Sequence, residues 1–376
     1  MTSFRLALVL SLASIIVYSG CKVDEGSDFS VTPPSNLEVV VTVDSVVEGQ
    51  VSVTANASNA NNYIITFYEQ GGVTSEESKN GKATYQYSSS GSYTINVKAN
   101  TTPTDFIETN VNVIPYFRLG PPTNDGMPPT DGYSSPISYP GYNLVWNDEF
   151  DGTSLSATDW NYEIGTGNGG WGNNELQYYR QENASVSNGI LTIQAKKEFF
   201  NVSAYTSSRI TTQNKHSFQY GRIDIRAALP FGQGLWPALW MLGDNISTVG
   251  WPSCGEIDIV ELVGGNNRDN EVHGTAHWEL NGSRVQAGGS NKLQNGAFAH
   301  EFHVFSIVWD SQKIEWYRDD VKYQTLDITP ADLREFQNKF FLIFNVAVGG
   351  DWPGSPNAST QFPQYMFVDY VRVFQR

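Results

Sequence analysis

Gly255-Glu-Ile-Asp-Ile-Val-Glu261 interleaves acids with branched apolar residues. Side chains on a β-strand alternate faces, so Glu256 and Asp258 point one way while Ile257 and Ile259 point into a core. A plain two-residue period leaves Glu261 on the opposite face. One extra residue between Asp258 and Glu261, a β-bulge, returns it to the side of the other acids. Three carboxyls then line one wall, too close for all to ionise freely. One pKa is forced upward, and a proton donor can coexist with an anionic nucleophile at neutral pH. A solvated acidic strand edge is the blander reading, but exposed edges rarely interleave acids with Ile, Ile and Val.

The rest of the chain is also strand-like. Residues 143–150, 189–195, 220–226, 302–309 and 367–374 carry short β-type runs, and helical periodicity is nearly absent; Pro330 to Phe336 suits one or two turns. An all-β, two-sheet sandwich is expected over residues 143–376. Upstream, alternating runs at 37–43, 50–56, 63–68, 82–87, 92–98 and 107–114 have sandwich-like spacing and predict a small immunoglobulin-like β-sandwich over 36–115. Between them, residues 116–142 are dense in Pro and Gly (Gly120-Pro-Pro122, Met127-Pro-Pro129, Ser135-Pro136) and read as a semi-rigid linker.

With 376 residues, 40% of them apolar and 13% aromatic, the chain can bury sizeable cores in two or three domains. Its 23 Lys+Arg against 39 Asp+Glu give a net charge of −16, which repels phosphate backbones and argues against a nucleic-acid partner. Arg5 precedes the apolar run Leu6 to Val17, which is too short to span a bilayer and reads as a secretion signal ending at Tyr18-Ser-Gly-Cys21. The only other cysteine, Cys254, reads as a small core residue. His300-Glu-Phe-His303 lies in a strand-like context that would send its histidines to opposite faces, so it is not a metal motif. No phosphate loop or dinucleotide fingerprint occurs.

Glu256-Ile-Asp-Ile-Val-Glu261 resembles the Glu-x-Asp-x-x-Glu signature of family 16 glycoside hydrolases, in the bulged form of the laminarinase-type members. Trp171–Tyr179, Tyr220-Gly-Arg222, Gly234–Leu242 and Asn345–Gly354 resemble further blocks of that family in the right order, so the resemblance covers about 143–376. It implies a β-jelly roll with a cleft across its concave sheet and a retaining endo-β-1,3-glucanase acting on laminarin-like glucan. Glu256 would be the nucleophile and Glu261 the general acid/base, with Asp258 hydrogen-bonding the nucleophile between them. An inverting reaction with a water between the acids is the alternative mechanism. Mixed-linkage β-glucan, agar, porphyran or carrageenan are alternative substrates. A non-catalytic glycan-binding surface protein is the reading from another class, but it would predict a lost acid.

Trp236 and Trp240, four apart on a strand, share a face and would stack on sugar rings, although a sandwich core wants the same parity. The resemblance places Asn174, Arg209 and His277 at sugar hydroxyls, and Trp251 and Trp171 are weaker candidates for the cleft rim. It calls for no catalytic cofactor, but implies a structural Ca2+ held by Glu149, Gly189 and Asp369. Gly91–Lys98 resembles the closing strand of PKD modules. Residues 1–20 resemble a bacterial lipoprotein signal, although Tyr18 stands where that pattern prefers Leu, Val or Ile. Acylation of Cys21 would make a lipid anchor the only membrane contact of a secreted, monomeric cell-envelope protein, placed at the outer membrane or cell surface.

Overall fold

The computed structural model describes residues 31–376, apart from 45–46, 70, 90, 117–121 and 123–124. Cys21 and the signal segment lie outside the described residues. The chain divides into two compact units, the first ending at residue 119 and the second running from 120 to 376. No helix among the described residues is long and apolar enough to cross a membrane.

In the first unit, an antiparallel three-stranded sheet (Ser35–Val43, Gln50–Ser58, Lys82–Gln86) and an antiparallel four-stranded one (Gly72–Ser78, Asn62–Glu69, Tyr93–Asn100, Phe106–Val113) share one core. Val51 and Val53 come from the first sheet, Ile65, Phe67, Ile95 and Val97 from the second. Gly72–Ser78 was not legible as a strand: residues 72–77 are exposed on both faces of a sheet edge, so no apolar alternation marks it.

The second unit is a β-jelly-roll sandwich of two sheets. One has seven strands in the order Ser283–Lys292, Glu271–Leu280, Glu256–Leu262, Leu235–Gly243, Phe340–Val348, Arg209–Thr211, Asn161–Tyr162. The other has eight, with Gln364–Gln375, Gly221–Ala228 and His303–Trp309 near its centre and Asn143–Asp148 paired to Gln364–Gln375. Leu239, Met241, Ile257, Ile259, Leu342 and Phe344 from the first sheet meet Ile223, Ile225, Phe305, Ile307, Val371 and Val373 from the second. Each such side chain contributes about 1.5–3 kcal/mol by leaving water, which fixes the register because a one-residue slip would turn the apolar set outward. The expected helical turn is a 3-10 helix, Ala331–Gln337.

The stretch expected as a linker is not free along its length. Gly132 bridges to Phe302, the buried Ser135 N–H donates to Tyr370 Oη at 2.8 Å, and Tyr139 Oη donates to Asp224 Oδ2 at 2.7 Å while its ring meets Phe374. A proline-fixed backbone is as ready to pack as to span, and the Ser and Tyr residues between the prolines supply the contacts.

Candidate active site

The acid strand, Glu256–Leu262, carries the expected bulge. On one side Asp258 opposes Thr275 and Glu261 opposes His273, three steps against two; on the other, Trp240 opposes Asp258 while Leu239 opposes Val260. Ile259 and Val260 both turn into the core, and Glu256, Asp258 and Glu261 therefore share the outer face. Glu256 lies opposite His277, whose Nε2 is 3.1 Å from Asp258 Oδ2 and 3.6 Å from Glu256 Oε1.

Burial, then the charge of Asp258, pushes the Glu256 carboxyl up to about 8, against the pull of His277, the Trp251 N–H and Arg209. Glu261 is raised well above the ordinary carboxylate value by burial and by both other acids; the Trp236 N–H and His277 oppose this. Asp258 is raised by burial and lowered by the hydrogen bond with Glu261, which donates while it holds its proton. Two negative neighbours bear on Glu261 and one on Glu256, so of the two outer acids Glu256 releases its proton first as the pH rises and Glu261 holds its proton longer.

Indoles flank the row. Trp251, half exposed, donates from Nε1 to Glu256 Oε2 at 2.9 Å, and Trp236 donates from Nε1 to Glu261 Oε1 at 3.0 Å. On their strand Trp236 and Trp240 are the two positions that are only partly buried, so the shared parity points them out of the main core. Trp240 also packs on a small cluster of Leu242, Cys254, Phe341 and Ile343 on that outer side. The Arg209 guanidinium stacks 4.9 Å from the Trp240 ring and 4.4 Å from the Trp171 ring, and ion-pairs with Glu163. Arg209 thus reaches the site as a buried, stacked cation. Asn174, exposed at φ 57°, donates to Asp351 Oδ1 at 2.9 Å.

That bond ties the loop before the Gln177–Tyr179 strand to the loop after Phe340–Val348. Between them sits Gly350, at φ +120°, where a Cβ would lie 3.1 Å from the Asn173 carbonyl and 3.5 Å from the Trp236 ring. Only glycine leaves that backbone unstrained and that gap open. The loop carries Trp352, exposed, edge-on to Trp236 at 5.7 Å and 5.1 Å from His273. Its block was read from the sequence, but Trp352 itself was not singled out; an exposed Trp just after a Gly-Gly turn was the available signal.

The ligating atoms of Glu256, Asp258 and His277 lie within 4.8 Å of one another, close enough to hold a cation. His277 Nδ1, however, is buried without a hydrogen-bond partner, whereas a metal-bound imidazole almost always donates from its other nitrogen. The chemistry of the group is acid–base. Glu149, Gly189 and Asp369 sit instead around the eight-stranded sheet. Glu149 spends both carboxylate oxygens on Arg372, at 2.8 and 2.7 Å, and Asp369 gives Oδ2 to Arg226 at 2.7 Å. An ion there would take the Glu149 backbone carbonyl, 3.9 Å from where a Gly189 Cβ would stand, rather than the Glu149 side chain. Cys254 is a free, buried thiol, pushed up to about 11 mainly by burial. His303 is spent on Asp319, with Nδ1 2.7 Å from Oδ2, while His300 Nδ1 faces the backbone of Ala297.

The chain is similar to known proteins over this second unit. The profile described as glycosyl hydrolases family 16 matches residues 172–372. A β-glucanase from Rhodothermus marinus is 44% identical over 253 residues, spanning 63% of this chain and 86% of that protein. The clotting factor G alpha subunit of Tachypleus tridentatus is 42% identical over 238 residues, 63% of this chain; the chain spans only 34% of that subunit. The crystal structure of the laminarinase catalytic domain from Thermotoga maritima MSB8 matches with a TM-score of 0.57 and 47% identity, covering 62% of this chain and 98% of that domain.

Proposed function

The chain belongs to glycosyl hydrolase family 16, and from that premise we propose that it is an endo-acting, retaining hydrolase of β-1,3-glucan. The observation that carries the reading is the bulge that sets Glu256, Asp258 and Glu261 on one face, with an indole N–H on each outer acid. The names of the similar β-glucanase and laminarinase support the substrate class.

In this reading the Glu256 carboxylate attacks the anomeric carbon as the glycosidic bond breaks, and Glu261 gives its proton to the departing oxygen. A glycosyl ester on Glu256 results. Glu261, now anionic, takes a proton from water, whose oxygen displaces Glu256 with a second inversion, so configuration is retained. Asp258 accepts from Glu261, and charge on Asp258 raises that acid further, so Glu261 holds its proton more firmly. Trp236, Trp240 and Trp352 offer flat faces for sugar C–H groups, while Arg209, His277 and Asn174 supply polar contacts.

The test is chemical. Glu256→Gly with azide and an activated β-glucoside donor should yield the inverted α-glycosyl azide, and laminarin should be cut faster than mixed-linkage glucan or agar across a panel. Azide rescue of Glu261→Gly with that inverted product would reverse the assignment; faster cleavage of agar would move the substrate class.

Around this domain, we infer that residues 1–20 are a lipoprotein signal and Cys21 an acylated anchor. The first unit acts as a PKD-like spacer, and a structural Ca2+ sits at the backbone carbonyls of Glu149 and Gly189 with Asp369. The mature protein would be a monomer tethered to the cell envelope, with its glucan substrate as its partner.

A further inference from the structure

The indole N–H of Trp240 starts a chain of hydrogen bonds that the reaction scheme does not use. Nε1 donates to Asn345 Oδ1 at 2.7 Å. An indole can only donate, so the Asn345 amide is forced to present its oxygen there and its Nδ2 to Tyr179 Oη, 3.0 Å away. The Tyr179 hydroxyl has then accepted, and its hydrogen goes to Glu175 Oε2 at 3.2 Å. Gln177 Nε2 donates to the same Oε2 at 2.7 Å, and Asn173 Nδ2 to Oε1 at 3.2 Å. Every link has one direction, and the row ends on a carboxylate whose two oxygens face only donors.

The central link is buried, the others partly so, and the row spans three strands. Tyr179 is fully buried and Asn345 nearly so. Asn345 lies on Phe340–Val348, directly opposite Arg209 on one side and Ala238 on the other. The same strand therefore positions the amide that holds one edge of Trp240 and the cation stacked on its ring. In such surroundings a severed link strands a donor or acceptor away from water, which is why the chain is stiff.

We propose that Glu175, Tyr179 and Asn345 are positioning residues that fix the plane of the Trp240 indole and thereby set how strongly the cleft holds a sugar at that position. The inference rests on the reading of Trp240 as a sugar platform.

Tyr179→Phe removes one hydroxyl with little change of volume. Glu175→Gln keeps the shape but puts an NH2 against donors. Each is made in the wild-type background and in Trp240→Phe, which keeps an aromatic ring but has no N–H to hold. Laminarin kinetics and a thermal melt are measured on all. In the wild-type background each substitution should lower kcat/KM about tenfold, mostly through KM, the factor expected for one buried hydrogen bond. In the Trp240→Phe background the same substitutions should cost little more, because the object they position has lost its handle. Equal losses in both backgrounds would mean that the row merely supports the fold, and no loss in the first would mean that the indole holds its plane unaided; either overturns the proposal. Unchanged laminarin kinetics in Trp240→Ala would sink the platform reading itself, which distinguishes that failure from failure of the row.

Discussion

Replacing the proposed nucleophile, Glu256→Gln, should make the folded protein more stable, and increasingly so as the pH rises. Burial and Asp258 raise the Glu256 carboxyl from its ordinary 4.5 to about 8. Below pH 4.5 the folded and unfolded chains both carry the proton, and the group contributes nothing to the pH dependence. Between 4.5 and 8 the folded state keeps a proton that the unfolded state has released, so stability falls as pH rises, by about 1.36 kcal/mol per unit for a single group. At pH 7 the cumulative loss is about 3 kcal/mol. The side chain is still 16% exposed and its neighbours relax, so about half of that is a fair expectation. Glutamine keeps an oxygen for the Trp251 N–H and carries no charge, and it relieves Asp258 and Glu261 as well. At about 2–4 °C per kcal/mol for a domain of this size, the variant should melt about 3–6 °C above wild type at pH 7 and at the same temperature at pH 4. Calorimetric melts across pH 4 to 8 measure the difference. Superimposable melting curves at every pH would refute the argument that the acid row is held under electrostatic strain.

Two further expectations concern the periphery. Chelation should lower the melting temperature if a calcium ion bridges the Glu149 and Gly189 carbonyls and Asp369, while Glu149→Gln, which loses the Arg372 pair, should change the chelator effect little; an identical melt with and without chelator removes the ion. Cys21→Ser should move the protein from the membrane to the soluble fraction of cells, and a wild-type protein already found soluble would end the tether.

How much of this was legible follows from the range over which each contact acts. The bulge could be read because it concerns neighbours: acids at 256, 258 and 261 among apolar residues admit one shared face only with an extra residue at 259–260. Trp236 and Trp240 were legible as a pair by parity, but not the divided surroundings of Trp240, which faces the cleft yet leans on Leu242 and Phe341. Tyr179 and Asn345 are 166 residues apart, and Asn174 and Asp351 are 177 apart. No local period carries such pairings. The Glu149 side chain illustrates the opposite failure, since its position matched a pattern while its charge was already satisfied by Arg372, a partner visible only once the strands are paired.

The two indole N–H donors make the roles of the outer acids separable without removing either acid. A hydrogen bond to a carboxylate favours the anion, so losing it raises the pKa of that acid. Trp251→Phe deprives Glu256 of its donor, and Trp236→Phe does the same to Glu261. If Glu256 must be ionised to attack, the first change moves the acidic limb of the kcat/KM profile to higher pH. If Glu261 must be protonated to donate, the second leaves that limb in place and moves the alkaline limb upward. Each shift should be about half a unit to one unit, the smaller for the half-exposed Trp251, whose bond competes with water. Because the acids titrate as a coupled group, the diagnostic is which limb moves rather than its absolute position. Opposite limbs responding to the two substitutions in the reverse sense would exchange nucleophile and acid; a single limb responding to both would mean that the row titrates as one site, and the division of labour between Glu256 and Glu261 would have no electrostatic basis.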